Sequence, residues 1–178
     1  IDLIIPTVER ELIQLSEMFP EDDRIIIQPK EILQVCLDKY KTHNFLVNKG
    51  IRVAHTELLK NSVLTNDRKI VKPRSGRGSK GLKITNSKED LEVLKTQLEG
   101  SAWVCQELLL PVNMELTCGL YRTRGEEVRS IILRRNLKNG MTHSGEVFED
   151  KRVSMMLENI AIALDLKGCI NVQCILTK

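Results

Sequence analysis

Aromatic residues are scarce in this chain, at 3% of 178 residues. With no interleaving of rings and basic side chains, the composition argues against a base-stacking nucleic-acid binder. No apolar run is long enough to cross a bilayer; the longest, near Ile160 to Leu166, is broken by Asp165. The first residues have neither a basic start nor a small-residue cleavage site, so they do not read as a signal peptide. The five cysteines are odd in number and none are spaced CxxC. Cys169 and Cys174 fall at opposite parity in one expected strand and make poor joint ligands. That pattern predicts reduced, mostly buried thiols in a cytoplasmic protein, with no disulfide framework and no zinc site.

Hydrophobic residues at 42% and charged residues at 29% are ordinary for a folded globular domain. The net charge of +3 is too small to name a partner. Its distribution says more. Seven basic residues and no acid lie between Arg68 and Lys83, a local positive field suited to an anionic ligand.

Along the chain, Asp2 to Thr7 and Arg24 to Gln28 read as short apolar strands, with a helix from Val8 to Phe19 between them. Pro29 opens a helix through Leu37, and another runs from Lys39 to Lys49 and ends at Gly50. Arg68 to Pro73 and Leu82 to Thr85 are expected strands flanking a Gly/Ser/basic loop. Ser87 with Asp90 starts a helix to about Leu98. Ala102 to Leu109, Met114 to Arg122 and Glu127 to Leu137 read as strands, the last two a hairpin turning at Arg124-Gly125. Asn139 to Asp150 reads as a polar loop, Val153 to Leu166 as an amphipathic helix, and Cys169 to Leu176 as a final strand. The expected class is α+β, preceded by an α/β edge.

The loop segment is IVKPRSGRGSKGLKI. Gly76, Gly78 and Gly81 match G-x-G-x-x-G, but a dinucleotide fold needs a helix next and Leu82 to Thr85 is strand-like. Gly81 is followed by Leu82, so a Walker A loop fails as well. What remains is a glycine loop between strands, able to turn backbone N–H groups toward phosphates. Lys72, on the strand feeding it, could meet a phosphate as a point charge. A mobile basic surface loop is the plain alternative.

IVKPRSGRGSKG, VCQELL, NMELT, NGMTHSGEV and GCINVQ, in that order, resemble the motifs of ATP-grasp enzymes, in particular the synthetase domains of the carbamoyl phosphate synthase large subunit. The resemblance runs from about Lys30 to Gln173, and IDLIIPTVEREL resembles the end of the Rossmann-like domain that usually precedes. It implies an ATP-grasp fold of two α+β subdomains with a glycine-rich lid. Residues 1–28 would be the edge of a Rossmann-like pre-grasp domain, and residues 29–178 the grasp domain, with its lid at about 64–108. It implies ATP and Mg2+ as cofactors and an unidentified carboxylate as substrate. The γ-phosphoryl would pass to that carboxylate, and an amine or ammonia would attack the acyl phosphate.

The implied roles follow the motifs. Lys39, in DKYKT, reaches the nucleotide, and Lys72 contacts phosphate. Gly76, Arg77, Gly78, Ser79, Lys80 and Gly81 form the lid loop over the phosphates. Gln106, Glu107, Leu108 and Leu109 form the hinge whose backbone reads the adenine edge. Glu115 accepts the ribose hydroxyls, His143 stands near the phosphates, and Gln173 is proximal to metal.

Taken singly, Glu107 and Glu115 read equally as exposed strand charges and His143 as a solvated surface histidine. Gln173 alone reads as a core hydrogen-bonder, and Lys39 as a surface partner of Asp38. Arg134 and Arg135 read as a solvated basic pair outside the site. Two departures matter. The family pattern continues past the last strand to an acid and Asn-Pro-Arg, whereas this sequence ends at Lys178. Glu107 and Glu115 also stand farther apart than is common. The absent initiator Met and those missing residues predict a piece of a longer chain. A non-catalytic nucleotide-binding module, or an inactive fragment of a ligase, is therefore the alternative.

Overall fold

The computed structural model describes residues 1–76, 80–110, 114–138 and 141–177, with the side chains at 137, 138, 141 and 142 not described. Arg77, Gly78 and Ser79 of the expected lid loop lie outside the described residues.

The N-terminal segment carries α1, Glu9–Met18, with Glu9 and Glu11 in its first turn. The two strands expected on either side of it shrink to a single parallel bridge between Ile4 and Ile25. It is closed by Ile4 N donating to Arg24 O (2.7 Å) and Ile26 N to Ile4 O (2.9 Å). Two short segments without a third beside them cannot sustain a longer ladder. Ile1, Leu3 and Ile5 stay exposed there.

Pro29 caps α2, Lys30–Cys36. Asp38 caps α3, Lys39–Asn48, its carboxylate accepting from Tyr40 N and Lys41 N (3.0 and 3.1 Å). Such a cap satisfies two N–H groups that the helix itself leaves orphaned. Gly50, at φ +70°, ends the helical turn in the left-handed region.

A small antiparallel sheet follows, ordered β1-β4-β2-β3. Its strands are β1 Thr56–Leu58, β2 Lys69–Pro73, β3 Lys83–Thr85 and β4 Trp103–Glu107. A 3₁₀ turn over Leu59–Asn61 follows β1; neither it nor β1 was expected from sequence. Helix α4, Lys88–Gln97, is capped by the Ser87 hydroxyl, which accepts from Asp90 N. It covers one face of the sheet, where Leu59, Val71, Leu91 and Cys105 are buried together.

The larger antiparallel sheet is ordered β7-β6-β5-β8, from β5 Glu115–Arg122, β6 Val128–Lys138, β7 Met141–Val147 and β8 Gly168–Ile175. Helix α5, Lys151–Ala163, is capped by Asp150. It packs Val153, Leu157, Ile160 and Ala161 onto Leu116, Cys118, Leu120 and Ile132 of the sheet. Phe45 and Leu46 of α3 pack against the same core, so α3 is anchored on the large sheet while its N-terminus reaches the small one. β7 corrects the expected polar loop. It is an edge strand, polar on successive positions, and gives no apolar alternation to read. Its pairing with β6 shifts register between Asn136 and Leu137.

The thiols also differ from expectation. Cys105 and Cys118 are buried, but Cys36 and Cys169 are exposed. Among the described residues, no helix is long and apolar enough to cross a membrane.

Candidate functional site

Strand alternation decides which residues of β2 do chemistry. Val71 enters the small core at 0% exposure, so Lys72 points to the opposite face. There its ammonium donates to Gln106 Oε1 at 2.7 Å. Gln106 Nε2 donates to Thr56 Oγ1 at 2.6 Å, and that hydroxyl donates to Ala54 O at 2.9 Å. Three strands thus fix one cation. Burial, reinforced by the nearby Lys39 ammonium, pulls the Lys72 pKa down to about 8, against the opposing pull of Glu115. A cation that has lost water and sits beside another cation is poised for an anion.

Lys39 opens α3 and donates to Gly76 O at 2.9 Å. Its pKa is lowered by burial, which outweighs Glu9 and Asp38. Beside it, Arg74 Nε donates to both oxygens of Asp38 at 2.8 and 2.9 Å, and Arg74 Nη2 lies 2.7 Å from Asp38 Oδ2. Lys39 N donates to Arg74 O at 3.0 Å, and the guanidinium lies 5.6 Å from the Tyr40 ring centroid. Burial opposes ionisation of Asp38, but Arg74 and the helix N–H groups outweigh it and hold the carboxyl below its ordinary range. The entrance of the glycine loop is thereby docked on the α3 N-terminus. Arg74 was not singled out by sequence reading, because its partner lies in a helix 36 residues earlier.

Gly76 has φ +106° and Gly81 φ +75°. A Cβ at Gly81 would also stand 3.3 Å from Pro73 Cγ and Trp103 Cη2, so only glycine fits there without strain. Lys80 is exposed beside it.

The expected hinge is shorter than its motif: β4 ends at Glu107, and Leu108 and Leu109 follow it, both half-buried. Glu107 N donates to His55 O at 3.0 Å while Glu107 Oε1 accepts from His55 N at 2.9 Å. Its amide and carboxylate both clamp the segment entering β1.

The large sheet supplies the opposite wall. Leu116, Cys118 and Leu120 face α5, so Glu115 and Thr117 face away from it. In register, Thr117 stands opposite Gln173 and donates to Asn171 Oδ1 at 2.8 Å. On β6, Arg134 pairs with Glu146 and is half-exposed. Arg135 instead turns to the Glu115 face, pairs with Glu115 and has a side chain only 9% exposed. The solvated basic pair expected from sequence is therefore split by the pleat. His143, on β7, is the residue left unpaired where the β6–β7 register shifts, and it is exposed. The structure brings Lys39, Lys72, Gly76, Gln106 and Glu115 into one electrostatic neighbourhood. Gln173 shares the face of Glu115, opposite Thr117, whereas the structure does not bring His143 to those groups.

Magnesium prefers several hard oxygens at near-octahedral geometry. Among the described residues, no group of three or more His, Cys, Asp or Glu could hold a metal. Gln173 offers one neutral amide oxygen, and its neighbours Thr117 and Asn171 add no charge. These residues alone do not make a magnesium site. A cavity of about 710 Å³ lies apart from the charged groups, between Lys49, Gly50, Ile51 and Arg52 and the Met156, Asn159 and Ile162 side of α5. The candidate site is marked by converging charge.

No protein-family model and no curated protein sequence matches the chain. Solved structures do. An ADP complex of N5-carboxyaminoimidazole ribonucleotide synthetase superimposes with a TM-score of 0.81 at 16% identity, over 99% of this chain and 50% of that one. An L-amino acid ligase from Bacillus licheniformis matches with TM-score 0.73 and 15% identity, over 99% and 46%. A D-alanine–D-alanine ligase from Bacillus anthracis gives 0.72 and 20%, over 100% and 66%. The chain spans about half the length of the first two. These likenesses, with two antiparallel sheets in one α+β chain, establish the ATP-grasp fold.

Proposed function

We propose that this chain binds ATP between its two sheets and forms the nucleotide-binding part of a carboxylate ligase, of the kind its motifs resemble in carbamoyl phosphate synthase. The observation that carries the reading is Lys72: a half-buried cation on the strand entering the glycine loop, within the field of both Lys39 and Glu115. Two cations from separate elements beside a carboxylate suit a polyphosphate joined to a ribose.

In this reading Lys39 and Lys72 neutralise phosphate oxygens, with the loop of Gly76, Arg77, Gly78, Ser79, Lys80 and Gly81 over them. The backbone beyond Gln106, at Glu107, Leu108 and Leu109, meets the adenine edge. Glu115 accepts ribose hydroxyls and His143 lies toward the phosphates. Gln173 would offer a single oxygen to magnesium brought in with the nucleotide. Positioning and charge neutralisation are the protein's share of moving the γ-phosphoryl to a carboxylate. An acyl phosphate is then open to an amine or ammonia. Residues 29–178 form the grasp unit and 1–28 the edge of a Rossmann-like unit, a division supported by the lone Ile4–Ile25 bridge. The free thiols suit a cytoplasmic setting.

Thermal unfolding with and without Mg-ATP tests the reading. ATP at a hundred times its dissociation constant should add about 2.7 kcal/mol, and Lys72→Met and Glu115→Gln should each diminish the gain. No response at millimolar ATP would sink it. The second reading is a nucleotide-binding module without turnover. Hydroxylamine trapping of an acyl phosphate separates the two.

A further inference from the structure

Arg135 stands where the ATP reading needs an explanation. It is a cation with a side chain 9% exposed, paired with Glu115, itself 24% exposed. A buried charge is costly unless its partner is well placed, so the pair holds both side chains in one geometry. The sheet register shows how it arises. Leu116 faces Arg134 and Thr117 faces Leu133, which brings Arg135 alongside Glu115 at the end of the β5–β6 ladder. Opposite Arg135 on its other flank is Gly145 of β7, where a Cβ would approach Leu133 Cβ to 3.4 Å. Arg135 therefore lies on the face of Glu115, flanked by Gly145 of β7 and largely buried.

We propose that Arg135 is a positioning residue for ribose recognition: by holding Glu115 Oε1, it aims the other carboxylate oxygen at the ribose hydroxyls and so sets the preference for ribonucleotides. The inference rests on the ATP reading above and names the residue through which Glu115 gains its specificity. An ionised carboxylate accepts at both oxygens. One oxygen pinned by a planar guanidinium leaves the other with a fixed direction. Lysine, a flexible point charge, would hold it less well.

The test is equilibrium binding of ATP and of 2′,3′-dideoxy-ATP by calorimetry, expressed as a ratio of affinities. The wild-type chain is expected to favour ATP by about tenfold or more, the range of hydrogen bonds to a charged group. Arg135→Met should bring the ratio close to one while dideoxy-ATP affinity changes little, and Arg135→Lys should retain part of the preference. In a Glu115→Gln background, Arg135→Met should alter the ratio no further. Circular dichroism confirms folding, and the lysine variant, which keeps the charge, carries the comparison should the methionine variant not fold. An unchanged ratio in folded Arg135 variants overturns the inference alone, as does an effect of Arg135→Met that persists without Glu115. A wild-type chain that binds neither nucleotide removes the ATP reading and this inference with it.

Discussion

The two sheets differ in the length of their strands and in what they carry. Strands of the small sheet run three to five residues, and those of the large sheet seven to eleven. The small sheet holds the glycine loop and Lys72 over a core of Leu59, Val71, Leu91 and Cys105. The large sheet holds Glu115, Arg135 and Gln173 over a broader core that also engages α3 and α5. Elements with fewer buried contacts open at lower free energy. The molecule thus places its loop on the part that yields and its carboxylate on the part that does not.

The strongest challenge to that contrast is a pair of core truncations. Leu157→Ala, at 0% exposure beneath the large sheet, should lose about 2–5 kcal/mol of global stability in urea unfolding. Leu91→Ala, at 1% exposure in the small core, should instead raise amide exchange mainly across β2, β3 and α4. Equal global losses with no local change would erase the distinction.

Next in size is Lys72→Met. A lysine whose folded pKa is about 8, below its unfolded value, costs the free chain stability while it remains charged. The unfolded state binds more protons between the two pKa values, so wild-type stability rises with pH from about 8 to 10.5. Lys72→Met should therefore stabilise the free chain by about 1–3 kcal/mol at pH 7, with the gain fading over that window. It should weaken ATP binding at the same time. A destabilised variant at pH 7 would show that Lys72 serves the small sheet structurally.

The smallest effect concerns turns. On the large sheet a positive φ of +68° falls on Glu126, one residue beyond the glycine expected to make the turn. Glu126→Gly should stabilise by about 0.5–1 kcal/mol. Gly76→Ala, at φ +106°, should cost a similar or larger amount. Thermal melts of both variants compare the two regions directly.

Elements with local punctuation were readable from sequence. Asp38, Ser87 and Asp150 cap the helices that follow them, and alternation around Val71 marks β2. Elements fixed by pairing across the sheet were not. β1 is three residues long, β7 is polar on both sides, and the N-terminal apolar segments found only one bridge. The site divides in the same way. Lys39, Lys72, Gly76, Gly81 and Glu115 sit in recognisable motifs. Arg74, Arg135 and Asn171 gain meaning only from partners on other elements, such as Asp38, Glu115 and Thr117.

The hydrogen-bonded Lys72 has one more chemical consequence. With its pKa lowered to about 8 by burial, Lys72 offers far more free amine at mildly basic pH than an ordinary lysine, and the amine is a nucleophile that an ammonium is not. On the proposed chemistry, an acyl phosphate formed beside such an amine would acylate it and convert the side chain into a neutral amide. Phosphate bound against Lys72 restores its proton and removes that reactivity. Occupancy of the proposed nucleotide site would then protect the residue from self-modification, and an amine-directed label should mark Lys72 in the free chain and spare it with ATP bound.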